Sequence, residues 1–421
     1  MMTPKLLTTI RDYSPRLFLG DLFAGISVAL VAIPLSIAIA IASGAPPEAG
    51  LVTAVVAGFL ISALGGSKVQ IGGPTGAFIV VVYGVIANHG YDGLVLATAM
   101  AGVILVVAGF LRAGSLIAFV PEAVVNGFTI GIAIVIAASQ LKDFAGIEAA
   151  SLPADFLPKV AALWAARESA SWSAIAAGTG TLLAIVTFRK ILPRVPDRLA
   201  GTLLVSIVAA LAVLPVETIA SQYGVLPRHL PMPSMPEVTG SRIAELLPSA
   251  LVIAFLAAVE SLLSAMVADR MIGGRHRPNA EVLAQGWANI GSSLFGGLPA
   301  TGAIARTATN VRAGGKTPLA GVIHAAVILI VMLVAAPLSG YLAMPALAAL
   351  LIMTAWGMSE PHKWKSYWAA PNEERLLLLL TLVLTVLADL TVAIGVGVAV
   401  GLALRLRKSK LDAEEWRTPE P

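Results

Sequence analysis

The chain has 421 residues, of which 57% are hydrophobic and 12% charged. A soluble domain carries roughly 25% charged residues, so this chain cannot cover itself in water and its main solvent must be lipid. It has no cysteine, which excludes disulfides, thiol nucleophiles and Cys-ligated metals, and its net charge of +4 sits at helix ends rather than in a nucleic-acid-binding face.

The N-terminal MMTPKLLTTIRDYSPR has no apolar signal core and no cleavage site. Fourteen apolar segments follow. The first seven lie near 20–43, 50–65, 72–87, 93–111, 117–140, 172–190 and 199–215. After the polar, Pro-rich stretch SQYGVLPRHLPMPSMPEVTGSR come 246–270, 280–297, 300–312, 318–337, 342–358, 374–388 and 390–406. Full helical spans need roughly 17–25 residues, so several segments are short. Lys and Arg gather in alternate loops, including Lys5, Arg11 and Arg16 at the start, Arg189, Lys190, Arg194 and Arg198 midway, and Arg405, Arg407, Lys408 and Lys410 at the end. That bias places both termini in the cytoplasm. An odd number of spans in each half inserts the halves upside down relative to one another. The expected fold is an all-α membrane protein of 14 transmembrane segments in a 7+7 inverted repeat.

One breaker is written twice. Thr75-Gly76-Ala77 follows Gly72-Gly73-Pro74, and Thr301-Gly302-Ala303 follows Gly296-Gly297-Leu298-Pro299. The spacing is 301 − 75 = 226 residues, a little over half the chain. Proline lacks an N–H and pushes its predecessor out of the helical region, so helices are expected to begin at or just after Pro74, and near Pro299 to Thr301. Segments three and ten then read as half-helices that meet at the midplane. A helix start presents free N–H groups and about half a positive charge, so two converging starts form an anion site. Small residues at Gly76, Ala77, Gly302 and Ala303 open the backbone to the ligand, and Phe78 is a candidate pocket wall or packing residue.

Ionisable residues inside the segments are few. Glu260, in IAFLAAVESLLSAMVAD, costs roughly 3 kcal/mol at a helix centre and needs a role or a partner. With Ser264 one turn on, it is read as a site for a coupling cation (Na+) or, alone, for a proton. Offset by 226 residues, it corresponds to Pro34, expected to kink segment one. Arg306, one turn after Gly302, either faces the anion or pairs internally with Glu260. His324 reads as a packed, hydrogen-bonded histidine, Asn126 as a helix–helix hydrogen bond, and Asp389 as the N-cap of segment fourteen.

These stretches resemble the SulP anion transporters. The likeness is carried by DLFAGISVALVAIPLSIAIAIASGAPPEAGL, QIGGPTGAF, VPEAVVNGFTIGIAI, VESLLSAMVAD, RPNAEVLAQGWANIGSSLFGG and ATGAIARTATNVRAGGKTPLAG, from Asp21 to about Leu406. The resemblance implies a uracil-permease-like fold, with core-domain parts at 20–112 and 246–337 and gate-domain parts at 113–217 and 338–408. Flanking these are a cytoplasmic segment at 1–19, an extracytoplasmic linker at 218–245 and a cytoplasmic tail at 409–421. It further implies substrate binding between half-helices three and ten (Thr75, Gly76, Ala77, Phe78, Thr301, Gly302, Ala303 and Arg306, with Ser36 of segment one), elevator-like movement, dimers and a bacterial inner membrane. Many sulfate-type members carry Gln after the Ile-Pro of segment one, where this chain has Leu35 and then Ser36. Most members append a STAS domain, whereas SKLDAEEWRTPEP follows Lys408 here. The expected function is coupled transport of a small anion, with bicarbonate or a small carboxylate first and sulfate next. A nucleobase-type permease and an uncoupled anion channel are the alternatives. No cofactor beyond a coupling Na+, no nucleic-acid partner and no enzymatic activity are expected.

Overall fold

The structure, a computed structural model, describes residues 2–10, 13–115, 121–149, 152–153, 155–192, 195–388 and 390–408. Arg11, Arg194, the expected N-cap Asp389 and the tail 409–421 lie outside them. The main elements are α1 (Pro15–Ala42), α2 (Pro47–Leu64), β1 (Gly72–Gly73), α3 (Ile79–Phe110), α4 (Glu122–Ser139), α5 (Trp172–Ile191), α6 (Asp197–Leu211) and α7 (Gly240–Ile272). They continue with α8 (Pro278–Leu294), β2 (Thr301–Gly302), α9 (Ile304–Arg312), α10 (Leu319–Ser339), α11 (Met344–Met358), α12 (Asn372–Leu387) and α13 (Leu390–Lys408).

Sequence punctuation sets these bounds. Ser14 caps α1, its Oγ accepting from the Leu17 N–H, with Pro15 in the first turn where a missing N–H costs nothing. Segments three and four form one run, Ile79–Phe110, interrupted where Gly90 takes φ 71° and ψ 178°. Helix α1 continues through the buried Pro34 to Ala42.

Every predicted segment falls on a helix or on a strand followed by a helix. Among the described residues, seven helices are long and apolar enough to cross a membrane: Pro15–Ala42, Pro47–Leu64, Gly76–Phe110, Glu122–Ala145, Trp172–Ile191, Gly240–Ile272 and Leu319–Ser339. Length and composition thus mark seven crossings where fourteen were expected. Large apolar side chains face outward on many of them, including Phe23, Val107, Leu183 and Val334. This is the surface of a multi-pass membrane protein.

Helices α1, α2, α3, α7, α8, α9 and α10 pack around the two short strands; α3 lies along α8, and α10 along both α1 and α2. Helices α4, α5, α6, α11, α12 and α13 form a second group, with α4 against α12 and α5 against α6. Glycines let the α3–α8 pair approach closely: a Cβ on Gly102 would sit 2.8 Å from the Gly286 carbonyl oxygen.

Strands β1 and β2 cross antiparallel, Gly72 opposite Gly302 and Gly73 opposite Thr301. This corrects the predicted helix starts. After β1 a 3₁₀ turn runs from Gly76 to Phe78 before α3, and α9 begins at Ile304. Thr301 and Gly302 therefore form the strand, whereas Thr75 follows its strand and is the N-cap of the 3₁₀ turn. The two Thr-Gly-Ala stretches are not structurally equivalent. The 226-residue offset that set Pro34 against Glu260 is displaced by a few residues from the pairing that the strands make.

Candidate functional site

Unwound backbone at membrane depth survives only when its polar groups are met. Here one face of α8 does much of that. Glu281, Gln285 and Asn289 recur every four residues, so they share a face, and all three are buried. Glu281 Oε2 accepts from the N–H groups of Gly66 and Ser67 at 2.9 and 3.2 Å. Its Oε1 accepts from the Ser261 hydroxyl and the Gln285 amide, each at 2.9 Å. Asn289 grips the second arm, donating to the Ala300 carbonyl and accepting the Ala300 N–H, both at 2.9 Å. Thr53 adds a hydroxyl that accepts the Leu298 N–H. Gln70, Ser261 and Thr53 were not singled out from sequence, and Glu281, Gln285 and Asn289 entered only as part of the family-like run RPNAEVLAQGWANIGSSLFGG, with no role assigned. The signal for the α8 trio was its four-residue spacing on an otherwise small, apolar face.

The arms are tied to each other and to α7. The Ala303 N–H donates to the Ile71 carbonyl at 2.8 Å, and the Ile71 N–H donates to Thr307 Oγ1 at 3.1 Å. Ser264 is fully buried and donates to that same Thr307 oxygen at 3.2 Å. The Thr301 hydroxyl donates to the Ala257 carbonyl at 2.7 Å. The Thr75 hydroxyl donates to Glu260 Oε2 at 2.9 Å. Glu260 thus belongs to the first arm and Ser264 to the second, although they stand one turn apart on α7.

No side chain caps the 3₁₀ turn at Gly76 or the start of α9, so both starts keep unsatisfied N–H groups. Gly76, Ala77, Gly302 and Ala303 are buried around them. Phe78 is 1% exposed and packs within the apolar core.

Arg306, in the first turn of α9, is 3% exposed. Its Nη2 donates to the Ser36 hydroxyl of α1 at 3.2 Å, and its Nη1 has no acceptor. The internal Glu260–Arg306 pair is not formed: among the described residues the guanidinium has no carboxylate partner. Gly73 makes room for it. There φ is +147°, and a Cβ would lie 2.5 Å from Nη1. A methyl at Gly302 would overlap the Gln70 side-chain amide.

His324 corrects a second expectation. It is fully buried on α10, and neither ring nitrogen has a hydrogen-bond partner. Asn126 is half-buried and makes no side-chain hydrogen bond among the described residues. Nor do the described residues hold a cluster of His, Asp or Glu arranged to bind a metal.

Comparisons with known proteins agree with this architecture. The transmembrane domain of a cyanobacterium bicarbonate transporter, BicA, superposes with a TM-score of 0.82 and 27% identity, covering 96% of this chain and 100% of that one. The murine Solute Carrier 26 family member A9 anion transporter, in the inward-facing state, shares the fold with a TM-score of 0.86 at 18% identity, covering 97% of this chain and 71% of that one. The putative sulfate transporter YvdB of Bacillus subtilis is 45% identical over 352 residues, 83% of this chain and 66% of that protein. The bicarbonate transporter BicA of a Picosynechococcus species is 32% identical over 342 residues, 79% of this chain and 60% of that protein. The chain thus spans somewhat under two thirds of the length of these curated relatives, which are transporters and not enzymes. With residues 18–381 matching the description of the sulfate permease family, the chain belongs to that family.

Proposed function

We propose that the chain is a secondary active transporter of a small anion. The observation that carries this reading is Arg306: a guanidinium buried beside two uncapped helix starts, with one donor nitrogen unused and no acid partner. A buried charge without a counterion is expensive, and a transported anion is the counterion that this site lacks. Ser36, Thr75, Gly76, Ala77, Phe78, Thr301, Gly302 and Ala303 complete the pocket in this reading. Bicarbonate or a small carboxylate is the first choice and sulfate the next. The names of the relatives include both bicarbonate and sulfate transporters.

Glu260 is the coupling group in this account, holding Na+ with help from Ser264 or taking a proton. The helices around the crossover (20–112 and 246–337) act as the core and the second group (113–217 and 338–408) as the gate, past which the core moves in an elevator-like step. The protein works as a homodimer in a bacterial inner membrane, with both termini cytoplasmic.

Proteoliposome uptake of labelled bicarbonate, fumarate and sulfate under imposed sodium or proton gradients tests the reading. Gradient-driven, saturable uptake of one anion, uncoupled by Glu260→Gln, supports it. Uptake of uracil without uptake of any anion removes it.

A further inference from the structure

The residue that this reading leaves unused is His324. Its imidazole lies behind the crossover, on the side of β1 facing α2 and α10. A Cβ built on Gly58 of α2 would sit 3.8 Å from His324 Nδ1 and 3.2 Å from the Gly72 carbonyl oxygen. One residue along the strand, Gly73 faces Arg306 Nη1. On the same seam a methyl at Gly321, one turn before His324, would run into the Ser62 hydroxyl. Ser62 Oγ, both His324 nitrogens and Arg306 Nη1 are all buried without partners. Buried polar atoms without protein partners are met by ordered water, and water is what a proton needs to reach a ring that has no solvent exposure.

The charges around the ring are few. The described charged residues of α1 are Arg16 and Asp21, of α2 Glu48, and of α9 Arg306 and Arg312. Asp21 is bound to the Lys316 and Thr317 N–H groups ahead of α10, and Glu48 lies in the first turn of α2. Helix α10 has no charged residue, and β1 is two glycines. Of these, Arg306 is the one placed on the crossover beside the ring: its Nη1 faces Gly73, next along the strand from Gly72.

We propose that His324 is a proton-binding site linked to the anion site, so that a proton on its ring and an anion against Arg306 favour each other. Two positive charges repel strongly in a low-dielectric interior. An anion seated on the guanidinium offsets that repulsion and admits the proton; by reciprocity the proton tightens the anion. The proton comes from bulk water and adds to an imidazole nitrogen, with no bond broken in the protein. The proposal rests on the anion reading above but not on Glu260, which lies on a different helix and bonds to Thr75.

The test uses purified full-length protein in weak buffer, with sulfate and nitrate as probes. Neither probe titrates near neutral pH, and nitrate has the planar three-oxygen shape of bicarbonate. Anion affinity is expected to be about tenfold tighter near pH 5.5 than near pH 8, with up to one proton taken up per anion bound. In His324→Gln both the pH dependence and the proton uptake should vanish. Should that variant not fold, histidine-labelled wild type read by nitrogen-15 NMR must show one of its five imidazoles gaining a proton when nitrate is added at fixed pH. Binding of equal strength at both pH values without proton uptake overturns the proposal and leaves the anion reading standing. A pH dependence that survives intact in His324→Gln also overturns it. No binding of either anion removes both.

Discussion

The Thr75 hydroxyl donates a 2.9 Å hydrogen bond to Glu260 Oε2, joining residues 185 positions apart. This bond fastens the carboxylate of α7 to the start of the first arm. Whatever binds at Glu260 is therefore felt where the first arm turns into helix.

Glu260→Gln keeps an oxygen that can accept the Thr75 hydrogen while removing the charge. The expected outcome is a folded protein that still binds its anion but loses gradient-driven accumulation by at least about tenfold, or ~1.4 kcal/mol. Thr75→Val instead deletes the bond and leaves the carboxyl group in place, costing about 1–3 kcal/mol of stability. Uptake assays and thermal melts in detergent distinguish the two.

Arg306→Met replaces an unpaired buried cation by an apolar chain of similar length. The empty protein should then gain about 1–4 kcal/mol, because an uncompensated desolvation cost is removed. The same variant should lose all anion-induced stabilisation. A melt of each protein with and without anion checks both signs at once.

Gly73→Ala puts a methyl 2.5 Å from Arg306 Nη1 at a backbone angle that L side chains rarely adopt. It should cost about 2–4 kcal/mol through strain and overpacking and should displace the guanidinium. Gly84→Ala is the control, since a Cβ there meets nothing within 4 Å and that glycine is helical.

Glu281→Ala removes the acceptor for Gly66, Ser67, Ser261 and Gln285. Several buried donors lose their partner together, so the loss should be at least about 3 kcal/mol. Hydrogen exchange should localise the loosening to residues 65–71, ahead of any change in the lipid-facing helices.

Much of this was legible in the sequence because lipid simplifies the grammar. Long apolar runs and paired Gly-Pro breakers mark helices and unwound backbone without knowledge of tertiary contacts. The family was legible too, from motifs that cover most of the chain. What failed was register. The Thr-Gly-Ala echo was aligned letter for letter, but the strands pair Gly73 with Thr301, so the same three residues do different work in each arm. Pattern alone also could not say that Arg306 would reach Ser36 rather than Glu260, since that choice depends on the room left by Gly73. The α8 carboxylate Glu281 was legible only as part of a family-like run; its role was not, because its partners are two backbone N–H groups and side chains of distant or neighbouring turns that no sequence pattern pairs with it. His324 was expected to find a hydrogen bond, as buried histidines usually do, and it found none.

The most direct test of the anion site at Arg306 is saturable uptake of labelled bicarbonate, fumarate and sulfate into proteoliposomes by wild type and by Arg306→Gln. The account predicts that wild type takes up one of these anions and that Arg306→Gln lowers its apparent affinity by at least about tenfold. Equal uptake by the two proteins, or uptake of none of the three by wild type, would contradict it.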